Sequence, residues 1–382
     1  MRKLLCLVAF FSLLSPAGAI EPGAPTLEAK AWILVDVTSG QILAEHEADT
    51  RFEPASLTTL MTAYLAFTAI KEKRLDLAQR PPVSMAAYKA IGSRMFVEPT
   101  KPATVDELLH GMIVQSGNDA SIVLAEAVAG SESAFADLMN REARHLGLKN
   151  TSYRNSTGLP DPEHYASARD LATLAIALIE KFPKQYARLY SQKEYTYNKI
   201  KQRNRNRLLF ADPSVDGVKT GHTEAAGYCL VASAVRAQAG GKLRRRLLSV
   251  VLGAGSMSAR AIESQKLLNY GFQNFEAISV YKADEIAGRY RVWKGTADRV
   301  GGGFEKAVVV TVGKGKADRL KAEIERVEPL VAPIVAGQKI GSLRVTLDGK
   351  QLTERALVAR EPVAQAGWIG RLWDSLRLMV KL

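Results

Sequence analysis

Three short polar segments carry the residues of this chain that are best suited to acyl transfer. Ser56 follows Pro54 and precedes an apolar run with helical spacing, so it falls at or near a helix N-terminus, where backbone amides lack intrahelical partners. The other segments are Ser116-Gly117-Asn118 and Lys219-Thr220-Gly221. Acyl transfer from a peptide needs a nucleophile, a base, oxyanion donors and a group that holds the substrate carboxylate. Taken alone, Ser56 is an ordinary helix N-cap and the other segments are ordinary turns.

The order and separation of the three segments change that interpretation. They resemble the S-x-x-K, S-x-N and K-T-G signature of the penicilloyl serine transferases. The flanking residues resemble those of one family in particular, the D-alanyl-D-alanine carboxypeptidases, which are the low-molecular-mass penicillin-binding proteins. These flanks are Pro54-Ala55-Ser56-Leu57-Thr58, Ser116-Gly117-Asn118-Asp119-Ala120, Gly158-Leu159-Pro160 and Asp216-Gly217-Val218-Lys219-Thr220-Gly221-His222-Thr223. The resemblance covers nearly the whole mature chain and departs from the motif at Thr59, where the family has lysine.

The resemblance implies a catalytic role for four residues. Ser56 is expected to be the acylated nucleophile, with backbone N–H groups at its helix start as oxyanion donors. Ser116 and Asn118 are expected to flank the cleft, with Ser116 relaying a proton and Asn118 holding the substrate amide. Lys219 is expected to supply positive charge.

A second set of residues is expected to hold the terminal carboxylate of the substrate. The resemblance assigns this role to Thr220 and Thr223, with Gly221 between them, along a strand edge. Arg205 and Arg260 are further candidates, because a guanidinium binds a carboxylate with two parallel hydrogen bonds. For both arginines the alternative is a solvated surface charge.

Because residue 59 is threonine, this chain lacks the lysine amine that the family motif supplies. A lysine at this position lies one helical turn beyond the serine on the same face, and a desolvated amine there can accept the serine proton. A threonine hydroxyl is no base at neutral pH. Lys71 and Lys73 lie roughly 18 Å or more further along the helix. Lys219, acting through Ser116, is the remaining amine with a route to Ser56.

Three functions are therefore open. The first is a serine-type carboxypeptidase that removes the terminal D-alanine of peptidoglycan stem peptides and binds β-lactam antibiotics, with activity weakened by Thr59. The second is a pseudoenzyme of the same fold that binds stem peptides without turnover. The third is a β-lactamase, which is disfavoured by the family-like flanks and by the β-domain and anchor helix predicted after residue 281. No cofactor is expected, and no cluster of residues has metal-ligand spacing.

The N-terminus indicates export. Arg2 and Lys3 precede an apolar run, Leu4 to Leu14, which is followed by Ala17-Gly18-Ala19. This order is typical of a secretory signal, predicted at residues 1–19, and the mature protein is expected in the periplasm. The formal charge of +13 suits an acidic partner, and export argues against nucleic acid.

The pattern of elements after the signal predicts an α/β domain over residues 20–281. A hairpin at 31–36 and 42–46 comes first, and strands return at 228–236 and 246–253. Helical periodicity lies between and after them, at 106–113, 121–129, 133–146, 168–179 and 259–270. Strands at both ends imply an antiparallel sheet with helices on its faces and a helical insertion. The resemblance implies a transpeptidase/β-lactamase-like fold. The basic run 242–246 is predicted to be an exposed hairpin turn.

The last quarter of the chain has a different sequence pattern. Short β-like runs separated by turn residues predict an all-β domain at 282–362. Residues 363–382 are predicted to be a linker and an amphipathic helix, with Trp368, Ile369 and Leu372 opening an apolar stripe. Tryptophans beside basic residues favour a helix lying in the headgroup layer of the anionic inner membrane. The alternative is a helix packed against its own protein.

Overall fold

A computed structural model describes residues 23–238 and 243–381 of the 382-residue chain. The predicted signal segment, residues 1–19, lies outside the described residues. The strands are β1 (Ala31–Asp36), β2 (Gln41–His46), β3 (Glu194–Tyr197), β4 (Ile200–Arg203), β5 (Val215–Thr223), β6 (Gly227–Ala237), β7 (Arg244–Ala254), β8 (Phe275–Tyr281), β9 (Ile286–Arg291), β10 (Arg299–Gly303), β11 (Val308–Gly313), β12 (Leu320–Arg326), β13 (Lys339–Leu347) and β14 (Lys350–Ala359).

Within the described part of the chain, the α-helices fall between β2 and β8, apart from one near the C-terminus. They are α1 (Thr59–Lys71), α2 (Met85–Tyr88), α3 (Val105–His110), α4 (Asn118–Ala129), α5 (Glu132–His145), α6 (Ala168–Lys181), α7 (Pro183–Leu189), α8 (Leu208–Ala211), α9 (Met257–Asn274) and α10 (Trp368–Lys381). A 3₁₀ turn, Ala55–Thr58, leads into α1, and a π-helical turn, Gly111–Gln115, follows α3. Every helix predicted from periodicity has a counterpart within a few residues.

The first domain is built on an antiparallel sheet with the order β2-β1-β7-β6-β5. Side chains alternate between its two faces, so that Trp32 and Leu34 pack with α9 while Ile33 and Val35 pack with the helical layer that contains α1 and α6. Burial on both faces explains why β6 and β7 are almost continuously apolar. The predicted α/β domain with an antiparallel sheet and a helical insertion is confirmed.

Helix α1 forms the centre of this domain. Nearly all of its side chains are buried, from Thr59 to Phe67, because α4, α5 and α6 surround it. A helix with apolar residues on every side suits such a position. Its N-terminal end points to β5, the edge strand of the sheet. Ser56 therefore lies between the helical layer and the sheet edge.

The second domain is all β, as predicted. Its main sheet has the order β12-β13-β14-β10-β9, and β8 pairs with β11 beside it. Its own core includes Val300, Phe304 and Leu343. Strand β8 begins at Phe275, directly after α9, and the division at residue 282 remains a prediction.

A buried polar joint connects the two domains. Asp36 at the end of β1 accepts hydrogen bonds from Arg245 Nε at 2.5 Å and from Thr311 Oγ1 of β11 at 2.6 Å. The Gln41 side chain bonds both backbone groups of Thr311, as a neighbouring strand would. The exposed turn predicted at 242–246 is wrong for Arg245, which is buried because its guanidinium pairs with Asp36. Lys242 lies outside the described residues.

Helix α10 packs on the second domain through one side only. Asp374 accepts a hydrogen bond from the backbone N–H of Lys294 at 2.6 Å, and Leu378 lies in a groove beside Tyr290 and Trp293. The opposite side carries large apolar residues that are more than half exposed: Trp368, Ile369, Leu372, Trp373, Leu376 and Met379. Among the described residues, no helix is both long and apolar enough to cross a membrane.

Candidate active site

Ser56 lies in the tight 3₁₀ turn between Pro54 and α1. It occupies neither N-cap position, since these are Pro54 for the turn and Thr58 for α1. The preceding residue, Ala55, has a positive φ of 47°, a conformation that is strained for an alanine. The turn is held in this shape by its neighbours, and Ser56 lines the cleft in front of it.

Two glycines allow other segments to approach this turn closely. A Cβ atom on Gly158, which has a φ of +85°, would lie 1.8 Å from the carbonyl oxygen of Ala55. A Cβ atom on Gly221 of β5 would lie 2.9 Å from the carbonyl oxygen of Pro54. Only glycine allows backbone contacts this close. The loop around Gly158 and the edge strand therefore hold the Ser56 turn from two sides.

Ser116 and Asn118 lie at the junction of the π-helical turn and α4. Ser116 is in the left-handed conformation, with a φ of 66°, and Asn118 is the first residue of α4. The next residue, Asp119, accepts hydrogen bonds from the backbone N–H groups of Met95, Phe96 and Val97. Asp119 thus ties the loop along one wall of the cleft to the segment that carries Ser116.

Lys219 projects from β5 toward Ser116. Its Nζ atom donates to Ser116 Oγ at 2.6 Å and to the carbonyl oxygen of Thr220 at 2.9 Å. Burial of the amine holds the pKa of Lys219 well below its usual value, and the nearby guanidinium groups of Arg205 and Arg260 lower it further. This environment favours a neutral amine, which can accept a proton.

Two arginines, Arg260 and Arg205, line one end of the cleft. Arg260 at the start of α9 is buried and donates to the carbonyl oxygen of Gly221 at 3.0 Å. Burial lowers the pKa of Arg260 to about 10, still high enough for a full positive charge at neutral pH. Burial also lowers the pKa of Arg205. Both side chains line the cleft and make this end of it positively charged.

The Thr223 hydroxyl makes two hydrogen bonds that the sequence did not predict. Its hydroxyl donates to Glu53 Oε2 at 2.8 Å and accepts a hydrogen bond from the backbone N–H of Ala226. Glu53 lies only three residues before Ser56, so this contact joins the end of β5 to the Ser56 turn. The pattern of the family motifs gave no signal for Glu53.

The cleft has a volume of about 240 Å³ and brings most of the predicted residues together. The predicted residues that line it are Ser56, Ser116, Asn118, Arg205, Thr220, Gly221, Thr223 and Arg260. Lys219 and Thr59 lie behind these residues rather than on the surface of the cleft. Sequence reasoning missed other lining residues, among them Gly92, Ser93 and Tyr228, because their segments carry no chemical motif.

Thr59 is buried at the first position of α1. Its hydroxyl donates to the carbonyl oxygen of Ser56 at 2.8 Å, so it satisfies the turn backbone and does not reach into the cleft.

The side-chain amide of Asn118 is only partly paired. Asn118 Nδ2 donates to the carbonyl oxygen of Ile91 at 2.7 Å. Among the described residues, Asn118 Oδ1 is buried without a hydrogen-bond partner.

His164 supports the Ser56 turn through a contact with Thr58. The backbone N–H of Arg154 donates to its Nδ1 atom, so the neutral ring carries its proton on Nε2, which contacts Thr58 Oγ1 at 2.9 Å. Burial lowers the pKa of His164 to about 4. A neutral histidine is therefore part of the scaffold at neutral pH. Asp170 also acts as scaffold, since its carboxylate accepts hydrogen bonds from Asn150 and Thr151.

Comparison with known proteins identifies the family. The sequence model for D-alanyl-D-alanine carboxypeptidase matches residues 19–256, and that for the penicillin-binding protein 5 C-terminal domain matches residues 275–365. The chain belongs to the D-alanyl-D-alanine carboxypeptidase family. It is 43% identical over 390 residues to the D-alanyl-D-alanine carboxypeptidase DacC of Escherichia coli strain K12, covering 99% of this chain and 96% of DacC.

Solved structures of related proteins support the same fold. The structure of penicillin-binding protein 5 from Haemophilus influenzae superposes with a TM-score of 0.82 at 38% identity and covers 89% of this chain and 99% of that one. Penicillin-binding protein D2 of Listeria monocytogenes, solved in its ampicillin-bound form, superposes with a TM-score of 0.56 at 30% identity. It covers 66% of this carboxypeptidase-family chain and 100% of its own.

Proposed function

We propose that this chain is an exported serine-type D-Ala-D-Ala carboxypeptidase that removes the terminal D-alanine of peptidoglycan stem peptides through an acyl-Ser56 intermediate. We further propose that Thr59 slows formation of that intermediate. The observation that carries the proposal is the buried contact between Lys219 Nζ and Ser116 Oγ, 2.6 Å long, behind the cleft that Ser56 lines. Lys219, with its lowered pKa, is a base, and Ser116 is its link to the cleft.

The acyl transfer proceeds in two steps. Ser56 Oγ attacks the carbonyl carbon of the penultimate D-alanine, and its proton passes through Ser116 to the neutral amine of Lys219. As the peptide C–N bond breaks, the proton returns to the nitrogen of the departing D-alanine. Water then hydrolyses the ester on Ser56 by the same proton route, releasing the shortened stem peptide. Backbone N–H groups at the Ser56 turn supply oxyanion donors.

The substrate enters with its terminal carboxylate at the positive end of the cleft. Arg260 and Arg205 supply the charge, and Thr220 and Thr223 supply hydroxyl groups along β5. For Thr223 this requires that its hydroxyl turn from Glu53 to the substrate, since one O–H serves one acceptor. Asn118 holds the substrate amide through its side chain. The same contacts would hold the carboxylate of a penicillin.

A pseudoenzyme that binds stem peptides without turnover is the second candidate. The specific observation in its favour is Thr59, whose hydroxyl is committed to the Ser56 carbonyl and adds no base to the cleft. Single-turnover cleavage of a peptide ending in D-Ala-D-Ala distinguishes the two, because only the carboxypeptidase releases D-alanine. A β-lactamase is disfavoured by the all-β second domain and by α10.

We propose that the mature protein is periplasmic and attached to the anionic inner-membrane surface through α10. The support is the exposed apolar side of this helix, which carries Trp373 with the Arg377 guanidinium 5.1 Å from its ring centre. The sequence left two alternatives for this helix: it lies in the headgroup layer, or it packs against its own protein. The two are compatible, because one side of α10 packs on the second domain and the other side is open.

The site assignment is tested by the mass of the protein after long exposure to benzylpenicillin. We expect a slow covalent adduct that maps to the peptide containing Ser56 and is lost in Ser56→Ala. An adduct on another residue would reject Ser56 as the nucleophile. Absence of any adduct on the Thr59→Lys variant as well would reject the acyl-enzyme mechanism.

A further inference from the structure

The hairpin that β3 and β4 form beside the cleft carries a high density of positive charge. Residues 193–207 include one acidic residue, Glu194, and six basic ones, all of them at least partly exposed: Lys193, Lys199, Lys201, Arg203, Arg205 and Arg207. Alternate residues of a strand lie on the same face, so Lys201 and Arg203 share one face of β4. Lys199 precedes them in the turn. These three residues, Lys199, Lys201 and Arg203, form what we call the basic stripe.

The other face of the hairpin packs against the protein. Tyr195 and Gln202 are cross-strand partners on this face. The ring of Tyr195 stacks on that of His110, with ring centres 5.0 Å apart, and Gln202 Nε2 donates to the carbonyl oxygen of Arg94 at 3.1 Å. The hairpin is therefore held in place from one side, and the basic stripe lies on the side that is open to solvent.

The basic stripe has few counter-ions. Lys201 Nζ pairs with Glu194 at 2.7 Å, whereas Lys199 and Arg203 make no ion pair with any described residue. Arg203 instead packs over the ring of Phe210, with its Cζ atom 4.5 Å from the ring centre. Like charges on neighbouring positions repel one another. A surface of this kind favours a ligand that brings several negative charges.

The basic stripe also leads into the cleft. Arg205 comes two residues after Arg203 and lines the positively charged end of the cleft together with Arg260. An extended chain from Lys199 to Arg203 spans about 13 Å. The two residues of a D-Ala-D-Ala terminus span only about 7 Å. The positive surface therefore extends beyond the part of a stem peptide that the proposed reaction needs.

We propose that the basic stripe is a second binding surface for peptidoglycan, which binds carboxylates of the polymer other than the terminal one held in the cleft. The inference rests on the proposed function of the cleft. Stem peptides carry carboxylates at internal residues as well as at the terminus, so a glycan strand presents many of them close together. The stripe thereby gives the protein a preference for polymeric peptidoglycan over a free stem peptide.

An anionic membrane would offer the same kind of charge, but the topology favours the polymer. Helix α10 packs on the second domain, and that domain bonds to Asp36 and Gln41 at the β1–β2 end of the first sheet. The basic stripe adjoins the cleft, which lies at β5, the strand at the other edge of the same sheet. The stripe and the proposed membrane helix are therefore joined to opposite edges of the first sheet.

The experiment measures binding of the protein to purified sacculi, which are insoluble peptidoglycan, by sedimentation at increasing salt concentration. The test variant carries Lys199→Gln, Lys201→Gln and Arg203→Gln, and none of these residues lines the cleft. At low salt we expect it to bind about tenfold more weakly than the original chain, because each exposed charge pair contributes about twofold. The difference should shrink at about 0.5 M salt, where ions screen exposed charges.

The matched control variant removes the same charge from exposed positions of the second domain. It carries Lys321→Gln, Lys350→Gln and Arg355→Gln, and its binding to sacculi should equal that of the original chain. Sacculi whose carboxylates have been converted to amides are the matched ligand, and the test and control variants should bind them equally. If the test variant binds untreated sacculi as tightly as the control variant, or if its deficit persists on amidated sacculi, the inference is overturned.

Vesicles containing phosphatidylglycerol distinguish the polymer from a membrane. The test variant should bind them as the original chain does, because the basic stripe is not the proposed membrane contact. If it loses vesicle binding and keeps sacculus binding, the stripe is a lipid-binding surface and the inference is wrong.

The proposed function and the second binding surface fail in different ways. Benzylpenicillin is small and carries a single carboxylate, so its rate of acylation of Ser56 reports on the cleft and should be the same in the test variant and the original chain. If Ser56 is not acylated even in Thr59→Lys, the proposed function fails, while sacculus binding still tests the stripe. If Ser56 is acylated and the test variant binds sacculi as the control variant does, the function stands and the second surface is wrong.

Discussion

At the scale of single residues, we propose that the side chain at position 59 decides which base lies nearest to Ser56. We expect Thr59→Lys to raise the acylation rate with penicillin and with a D-Ala-D-Ala peptide by about 10²–10⁴-fold, because a positioned general base is typically worth that much. Non-covalent affinity should change little, since Thr220 and Arg260, which we propose bind the carboxylate, are unchanged. Both rates are measured on the two proteins after their melting curves have been matched.

Thr59→Ser is the control for this prediction, since serine keeps the hydroxyl bond to the Ser56 carbonyl and adds no amine. Its acylation rate should equal that of the original chain. Equal rates for Thr59→Lys and the original chain would mean that residue 59 does not supply the base and that Lys219, acting through Ser116, serves as the base in both proteins. Thr59 would then be a tolerated variant of a working enzyme.

His164 gives a second prediction at this scale, in the pH dependence of stability. Its folded pKa of about 4 lies below the ordinary value of 6.5, so in that window the unfolded chain binds a proton that the folded chain does not. The contribution of His164 to stability is fully kept above pH 6.5 and is lost as the pH falls toward 4, by a total of ~3 kcal/mol. Urea unfolding across this window measures it.

In the His164→Gln variant this part of the pH dependence should disappear. Glutamine can still donate to Thr58, but it does not titrate. The two proteins should therefore differ most at neutral pH and converge as the pH falls toward 4. Parallel stability curves for the two proteins would contradict a buried neutral histidine.

At the scale of elements, the Ser56 turn depends on how closely other segments approach it. We expect Gly158→Ala to cost at least ~2 kcal/mol more than Gly130→Ala and to abolish acylation of Ser56. Both glycines have a positive φ, of 85° and 83°, so the backbone strain is matched. Only the new Cβ at 158 meets another atom, the carbonyl oxygen of Ala55 at 1.8 Å. Urea unfolding and penicillin labelling of both variants check the difference. Equal losses would show that the contact is not needed.

The elements themselves follow from local patterns, which is why the sequence predicted them well. Apolar spacing located α4 and α6 within a few residues, and turn residues located the first hairpin. The positive φ values of Ala55 and Ser116 follow no local rule, because alanine and serine do not favour this conformation. Distant contacts impose it on them.

Contacts between distant residues set the rest of the site, and one sequence cannot reveal them. The bond from Thr223 to Glu53 joins residues 170 positions apart, and the pair of Arg245 and Asp36 joins residues 209 apart. A basic run normally indicates a solvated turn, so the sequence pattern predicts Arg245 at the surface. The buried Asp36 carboxylate overrides that tendency, since an arginine is rarely buried unless it is paired.

At the scale of the whole molecule, the joint at Thr311 couples the second domain to the first sheet. Gln41, Asp36 and Ser39 all bond to this one residue of β11. Because Asp36 also pairs with Arg245, whose guanidinium bonds the carbonyls of Gly271 and Phe275, the joint includes the end of α9 as well. The second domain is thereby held at the β1–β2 end of the sheet, while the cleft lies at the β5 edge.

The last prediction concerns how the whole molecule meets a membrane. Deleting 367–382 should release the protein into the soluble periplasmic fraction. It would also remove the contacts of Asp374 and Leu378 with the second domain, so a milder change is needed. We expect Trp373→Ser with Leu376→Ser to reduce binding to vesicles containing phosphatidylglycerol by about 10²-fold or more, because each buried side chain contributes ~1.5–3 kcal/mol.

The matched control for that change is Ile286→Ser with Val335→Ser, which removes two exposed apolar side chains of the second domain and leaves α10 intact. Its vesicle binding should equal that of the original chain. Raising the salt concentration should weaken binding only in part, because the apolar side of α10 is insensitive to screening while Arg371 and Arg377 are not. If the α10 variant binds as tightly as the control, or if the truncated protein still sediments with membranes, then α10 is not the anchor. Its exposed side would then have to be covered by another protein surface.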